Sequence, residues 1–285
     1  MVTKSDYTEQ EVQSCYSVLI ELMTILGEFR RNIVVVGGTV PFLLFPDSNE
    51  KHIGTIDIDI AFNFKKIGTD TYSTILKILK EKGYYQKEGM QPFIFYRDIT
   101  NEKGEKTTVE VDLLTCEYGG TGKSHRHQVI QDVKARKVRG CDLAFDSFLE
   151  VKIDGKLPGG AQNKVTVNVS SFGPFLVMKG MTLWERQKEK DAYDIYYCCK
   201  NFPGGIDSLV QEISPLKENK LAKEGFGKIR SKFFDVNSIG PNWVADFLEI
   251  SNSEERDRIK REAFELVKYL LDKLNIKSFE ENEQK

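Results

Sequence analysis

The sequence of 285 residues has no long apolar run, few histidines and no excess of charge of one sign. A membrane-spanning helix is not expected, because such a helix needs about 20 consecutive, mainly apolar residues. The 41 basic and 43 acidic residues give a formal net charge of −2, which argues against a protein that coats nucleic acid nonspecifically. Three histidines are too few for a histidine-rich metal site.

Paired-cysteine motifs and targeting signals are missing as well. The five cysteines form no Cys-x-x-Cys pair, and an odd count that includes adjacent Cys198 and Cys199 indicates free thiols in a reducing cytoplasm. The first six residues lack the charged-then-apolar pattern of a signal peptide. These features predict a cytoplasmic protein with room for one large or two modest domains.

What is present is a mixed α/β pattern that gives way to helical periodicity. Strands are predicted at residues 33–36, 55–62, 93–99, 107–114, 149–153 and 164–169, and helices at residues 8–29, 39–45, 71–82, 175–182, 188–200, 218–233, 242–249 and 254–274. We therefore expect an α+β fold. A mixed-sheet catalytic domain, residues 1–170, precedes a mainly helical domain, residues 171–285.

Three aspartates lie on two of the predicted strands. Asp57 and Asp59 are two residues apart and so point to the same face of a strand, and Asp112 can reach the same point from a neighbouring strand. Converging carboxylates repel one another unless a cation lies between them, and hard oxygen ligands suit Mg²⁺ or Mn²⁺. The alternative, a chance pair of aspartates on a solvated strand, is disfavoured by the isoleucines on the opposite face.

A glycine turn follows the first predicted strand. Gly37 and Gly38 come directly after residues 33–36, and such a turn presents backbone N–H groups to phosphates. Most glycine pairs are ordinary turns, and Thr39 has an ordinary role as a helix N-cap. Metal ligands beside a phosphate-binding turn nevertheless indicate nucleotide chemistry.

Taken together, these strings resemble the DNA polymerase β-like nucleotidyltransferase superfamily. The strings that carry the resemblance are Val36–Thr39, Thr55–Asp59 and Val111–Leu114. A later stretch, Lys179–Arg186 running into Lys190–Tyr196, is similar to the AbiEii-like nucleotidyltransferase toxins of abortive-infection systems. The resemblance covers residues 30–200, and the remaining helices are less distinctive.

The resemblance implies an enzyme that moves an NMP from an NTP to an acceptor, releases pyrophosphate and depends on Mg²⁺ or Mn²⁺. The site residues that it implies are catalytic Asp57, Asp59, Asp112, Lys179 and Asp191, nucleotide-binding Gly37, Gly38, Thr39, Arg186 and Lys190, and metal-binding Asp57, Asp59 and Asp112. The implied acceptor is a tRNA 3′ end or a protein hydroxyl, and the implied partner is a cognate antitoxin of a toxin–antitoxin system.

Several interpretations of these residues stay open. Lys179 is alternatively a lysine that reaches solvent at a helix end, and Asp191 and Asp194 alternatively lie on a solvated helix face. Arg186 either pairs with Asp191 or holds a phosphate. The family often has an arginine shortly before its carboxylate pair, where this chain reads Lys-His-Ile-Gly at 51–54, and Lys51 is the candidate substitute.

Other parts of the chain allow rival functions. Basic residues between 123 and 139 either meet a polyanionic acceptor such as tRNA or form a solvated edge, and Gly119–Ser124 lacks Walker spacing and predicts a flexible loop. A small-molecule nucleotidyltransferase of the antibiotic type is one rival, and a non-catalytic nucleotidyltransferase-like binding module is another. A glycosyltransferase with an Asp-x-Asp motif leaves the glycine pair and Asp112 unexplained.

Overall fold

The computed structural model describes residues 2–46, 48, 50–63, 66–67, 69–100, 104–116, 127–130 and 133–279, with the backbone alone at 69–70, 72, 127–130 and 133–135. Two compact units are present. The sheet unit comprises Tyr7–Leu44 and Gly54–Ser171, and the helical unit comprises residues 1–6, 45–53 and 172–285. The predicted division into a domain of residues 1–170 and a domain of residues 171–285 stays a prediction.

The sheet unit opens with helix α1 (Glu9–Ile25). A capping box starts this helix, because the Thr8 hydroxyl accepts from the N–H of Glu11 and the Glu11 carboxylate accepts from the N–H of Thr8. The following elements are β1 (Ile33–Val36), α2 (Thr39–Leu44), β2 (Asp57–Phe62), α3 (Thr69–Glu81), β3 (Ile94–Thr100), β4 (Lys106–Cys116), β5 (His127–Ile130), β6 (Val133–Val138), α4 (Leu143–Asp146), β7 (Phe148–Lys156) and β8 (Gln162–Ser170).

In the described residues the strands form one mixed sheet, in the order β5-β6-β4-β2-β1-β8-β7. Strand β4 pairs parallel with β2, antiparallel with β3 over its first part, and parallel with β6 at its end. Each strand has two edges, so β3 and β6 share the edge of β4 that faces away from β2. Strand β4 therefore fixes the register of three neighbours.

Alternation along β2 and β4 separates a core face from a polar face. Ile58, Ile60 and Val111 are fully buried, whereas Asp57 and Asp59, which alternate with the two isoleucines along β2, are only half-buried. Helix α1 packs against β2, β4, β7 and β8 and covers apolar surface of the sheet. The carboxylates consequently stand on the face that the core does not occupy.

The helical unit contains α5 (Phe172–Glu185), α6 (Glu189–Asn201), α7 (Ile206–Ile213), α8 (Lys220–Lys232), α9 (Ile239–Phe247) and α10 (Ser253–Lys273). Helices α5 and α8 approach closely at two glycines, since a Cβ added to Gly180 would lie 2.1 Å from the Gly225 carbonyl oxygen. Helix α6 is buried along nearly all its length. Its aromatic residues Tyr193, Tyr196 and Tyr197 pack in the core, as predicted.

The predicted α+β fold class, with a mixed sheet followed by helices, is confirmed. Strand β1 has the predicted bounds, and the predicted hairpin in the 149–169 region is the antiparallel pair of β7 and β8. Strands β5 and β6 and helices α4 and α7 were not predicted. The turn at 101–103 and the loop at 119–124 lie outside the described residues. In the described ranges, no helix is both long and apolar enough to cross a membrane.

Candidate active site

The sheet unit brings two of the predicted carboxylates directly together. Asp59 on β2 is the register partner of Asp112 on the parallel strand β4, and Asp57 is the partner of Glu110. Directly paired residues share a face of the sheet and have Cβ atoms roughly 5 Å apart. The predicted approach of carboxylates from neighbouring strands is therefore observed for Asp59 and Asp112.

The glycine turn lies against the Asp59 carboxylate. Val36, the last residue of β1, pairs with Asp59, and Gly37 follows it with a φ of +70°. A Cβ added to Gly37 would lie 1.8 Å from Asp59 Oδ2. Only glycine fits here, because any side chain would both strain the backbone and displace the carboxylate.

Asp112 sits in an electrostatically unfavourable position. Burial, followed by the negative charges of Asp59 and Glu110, raises the pKa of Asp112 to about 8. One of its oxygens, Oδ1, is buried without a hydrogen-bond partner, and the other lies 3.9 Å from Arg136 Nη1. A carboxylate in such a site is stabilised by an added positive charge.

These observations fit a divalent cation held by Asp59 and Asp112. Both offer hard carboxylate oxygens, and Asp112 Oδ1 needs a partner. Asp57 is less ready, since its carboxylate accepts a hydrogen bond from the Thr55 hydroxyl. Over the part of the chain that the structure describes, no three His, Cys, Asp or Glu side chains group closely enough to hold a metal ion. Asp57 stays a predicted third ligand, and it would reach a cation through the carboxylate oxygen that Thr55 does not contact.

Thr39 begins helix α2 directly after the glycines. The residue is buried, and its hydroxyl oxygen has no hydrogen-bond partner. Helix α2 has only six residues. The proposed contact of Gly37, Gly38 and Thr39 with a triphosphate stays a prediction.

The other predicted site residues form a buried ion cluster within the helical unit. Lys179 Nζ on α5 is 2.7 Å from Asp191 Oδ1 and donates a hydrogen bond to it. The same ammonium is 2.7 Å from Asp194 Oδ2, where the contact is ionic without hydrogen-bond alignment. The charge of Lys179 is therefore met by two carboxylates of α6.

Arg186 and Lys190 complete the cluster. Arg186 holds Asp191 with two hydrogen bonds, of 2.9 Å from Nε and 3.0 Å from Nη2, so its pairing with Asp191 is observed. Lys190 donates to Asp194. The alternatives of a solvated helix face and of a solvent-reaching Lys179 are wrong, because Asp191 and Asp194 are 0% exposed and Lys179 is 6% exposed.

His52 is a member of this cluster that sequence reasoning missed. Its Nε2 lies 2.9 Å from Asp194 Oδ1, and since a carboxylate only accepts, the ring nitrogen donates. Lys51, the candidate substitute for the family's arginine, is exposed instead. The sequence offered one sign of this role, since residues 51–54 contain His52 as a second basic residue next to Lys51.

Changing His52 to glutamine is expected to flatten the pH dependence of stability below neutrality. Burial, followed by the charge of Lys190, lowers the pKa of His52 to about 4. The unfolded chain takes up a proton at this residue below about pH 6.5 while the folded chain does not, so stability present at neutral pH is lost as the pH falls toward 4. This interval corresponds to roughly 3 kcal/mol. Urea unfolding at several pH values measures it, and equal pH slopes in both proteins would contradict it.

No protein-family model matches the chain, and no curated protein is significantly similar to it. Among solved structures, the nucleotidyltransferase toxin MenT4 from Mycobacterium tuberculosis H37Rv has a TM-score of 0.45 and 10% identity, covering 100% of this chain and 96% of that one. JHP933 from Helicobacter pylori has a TM-score of 0.42 and 12% identity, covering 94% of each chain. An antigenic nucleotidyltransferase-like protein from Paracoccidioides brasiliensis has a TM-score of 0.40 and 15% identity, covering 82% and 93%. At TM-scores below 0.5 these similarities are too distant to assign an activity.

Proposed function

We propose that this chain is a metal-dependent nucleotidyltransferase that moves an NMP from an NTP to an acceptor hydroxyl. The observation that supports the proposal most is the carboxylate pair Asp59 and Asp112, in direct register, with a partnerless buried oxygen and a glycine turn against one member. Carboxylates on one sheet face beside a tight turn suit a metal-bound triphosphate.

In this proposal the sheet unit supplies placement and charge. Asp57, Asp59 and Asp112 would hold Mg²⁺ or Mn²⁺, and the cation, when bound, would neutralise phosphate charge and lower the pKa of the acceptor hydroxyl. The backbone N–H groups of Gly37 and Gly38 donate hydrogen bonds to phosphate oxygens in this proposal, and Thr39 lies beside them. Asp112 is also proposed to assist as a general base that accepts the proton of the acceptor hydroxyl.

In the helical unit, Lys179 and Asp191 are proposed as catalytic residues, and Arg186 and Lys190 as the groups that bind phosphate. In the ion cluster, Lys179 and Arg186 contact Asp191, and Lys179 and Lys190 contact Asp194, with neutral His52 beside them. Arg186 is the most accessible cation, with a side chain that is 37% exposed. An accessible guanidinium is the group of this cluster that can donate charge-assisted hydrogen bonds to a phosphate.

The proposed biological role is the toxin of a toxin–antitoxin or abortive-infection system, with a tRNA 3′ end or a protein hydroxyl as acceptor and an antitoxin as partner. The sequence resemblance to AbiEii-like toxins supports this role. A small-molecule acceptor and a non-catalytic NTP-binding module remain the competing proposals.

The deciding experiment incubates the protein with each α-³²P-labelled NTP, Mg²⁺ and total tRNA. Asp57→Ala and Asp59→Asn serve as inactive variants, and Asp154→Asn, an exposed strand aspartate, serves as the matched control. Label on RNA that disappears only in the first two variants would establish transfer to RNA. Label on protein would indicate a protein hydroxyl as acceptor. NTP binding with no transfer to RNA, protein or small molecules would exclude the enzyme and favour the binding module.

A further inference from the structure

A row of paired residues crosses the sheet from the carboxylates to an exposed tyrosine. Asp57 pairs with Glu110, Glu110 pairs with Tyr96 on β3, and Tyr96 pairs with Tyr85 through an antiparallel bridge. Directly paired residues share a face of the sheet, and neighbouring strands are about 4.8 Å apart. Tyr85 therefore lies roughly 14 Å from Asp57, on the polar face that carries the candidate active site.

Tyr85 is held firmly although its side chain is accessible. Its backbone N–H donates to the Tyr96 carbonyl at 3.0 Å, and its carbonyl accepts from the Tyr96 N–H at 2.7 Å. Its hydroxyl donates to Asp98 at 2.9 Å, and Asp98 also accepts from the Thr108 hydroxyl at 2.7 Å. With 37% of the residue exposed, a ring that is already ordered is available to a ligand at little entropic cost.

A cation accompanies this ring. Tyr85 and Tyr96 have ring centroids 5.9 Å apart, and Lys87 Nζ lies 3.8 Å from the centroid of the Tyr96 ring. Lys87 is exposed. Exposed aromatic surface next to a positive charge is what single-stranded nucleic-acid sites use, because the ring stacks a base and the cation meets the backbone.

The order of the strands indicates which substrate reaches this surface. Gly37 follows β1, and β2, β4, β3 and Tyr85 follow one another in that direction across the sheet. If the triphosphate lies on the glycine turn, pyrophosphate leaves on the β1 side of the carboxylates. In-line displacement then brings the acceptor from the opposite side, where Tyr85 lies.

We propose that Tyr85 and Lys87, supported by the buried ring of Tyr96 (together the Tyr85 patch), bind the single-stranded 3′ end of an RNA acceptor. A base near that end stacks on Tyr85, and a backbone phosphate lies near Lys87. The inference rests on the proposed function, whose acceptor class it narrows from RNA or protein to RNA. A protein hydroxyl would bring no base to stack on the ring.

The test measures binding of a short, fluorescently labelled single-stranded RNA with a free 3′ hydroxyl to the full chain, in Mg²⁺ without NTP. Tyr85→Ala is expected to weaken binding about tenfold, the size that loss of one stacked base produces. Tyr85→Phe keeps the ring and should stay within about twofold of the parent protein. Lys87→Ala should weaken binding severalfold and reduce its salt dependence, because a phosphate contact is lost.

Tyr269→Ala is the matched control. Tyr269 is also 37% exposed, its hydroxyl donates to Asp207 at 2.7 Å, and Lys273 Nζ lies 5.2 Å from its ring centroid. Tyr269 is not part of the Tyr85 patch, so its loss should leave RNA binding unchanged. Equal weakening in Tyr269→Ala and Tyr85→Ala would overturn the proposal. So would weakened binding of a non-reactive NTP analogue in Tyr85→Ala with RNA binding intact, because the stacked base would then belong to the incoming nucleotide.

The outcome also separates this inference from the proposed function. Tyr85-dependent RNA binding without transfer to any acceptor would overturn the proposed function and leave an RNA-binding surface. Nucleotide transfer to a protein or a small molecule, at full rate in Tyr85→Ala, would overturn the inference and leave the function standing. Transfer to RNA that Tyr85→Ala impairs mainly through a higher KM for RNA would support both.

Discussion

Asp59→Asn is expected to lower nucleotidyl transfer at least about a thousandfold, while the protein stays folded and becomes no less stable. The carboxylate of Asp59 is one of two in direct register that offer oxygens to a cation, so its loss removes charge at the position where phosphate is neutralised. Repulsion from Asp59 is one cause of the raised pKa of Asp112, so the variant should also lower the pKa of Asp112.

Three measurements check this prediction together. Steady-state transfer gives the rate, thermal unfolding with and without Mg²⁺ gives stability and metal binding, and the pH dependence of unfolding reports Asp112. The parent protein should gain thermal stability from Mg²⁺, and Asp59→Asn should gain much less. Asp154→Asn should behave like the parent in all three. An unfolded Asp59→Asn protein, or one with full activity, would refute the assignment of this site.

Gly37→Ala is the second change with a large expected effect. The new Cβ would lie 1.8 Å from Asp59 Oδ2, and the alanine would have to adopt a backbone φ of +70°. The carboxylate must move, and a misplacement of about 1 Å in a catalytic group can lower the rate about a hundredfold. We expect a loss of transfer of at least that size together with reduced stability.

Gly160→Ala separates the two contributions to this effect. Gly160 also has a positive φ, +85°, but a Cβ there would meet nothing within 4 Å. Its variant should lose about 1 kcal/mol from backbone strain alone and keep full transfer activity. Stability and transfer rate are measured for both variants. The part of the loss in Gly37→Ala that exceeds the loss in Gly160→Ala is then due to the contact with Asp59. If both variants retain the parent rate, the close approach of the turn to the carboxylate has no catalytic consequence.

Local patterns predicted those parts of the fold in which one face is apolar. Strands β1 and β2 were recognised because their residues alternate or form a short apolar run that a glycine ends. The approach of Asp112 to Asp59 from a neighbouring strand could also be anticipated, whereas their direct register could not, since a side-chain period of two fixes the face and not the partner residue. Strands β5 and β6 were missed because they are short and the region is basic, which resembles a solvated loop.

The ion cluster could be predicted only in part. The spacing along α6 places Asp191 and Asp194 on one helical face, and the sequence allowed a pair between Arg186 and Asp191. The burial of these charges and the contribution of His52 could not be foreseen, because His52 and Asp194 are 142 residues apart. No local periodicity reports a contact over that distance. The position of Tyr85 beside the sheet could likewise not be predicted, because it depends on the bridge between Tyr85 and Tyr96.

Strand β4 tolerates a change in its number of residues less well than a change in the identity of its side chains. One residue inserted between Val109 and Asp112 would turn Asp112 toward the core, into the place that fully buried Leu113 now occupies, and would shift pairings with β2 and β3 at once. Exchanges of one apolar residue for another in β4 are milder, since they leave every pairing in place. Descendants of this chain should therefore vary in side chains along β4 and keep its residue count, and length variation should collect in the connections around it.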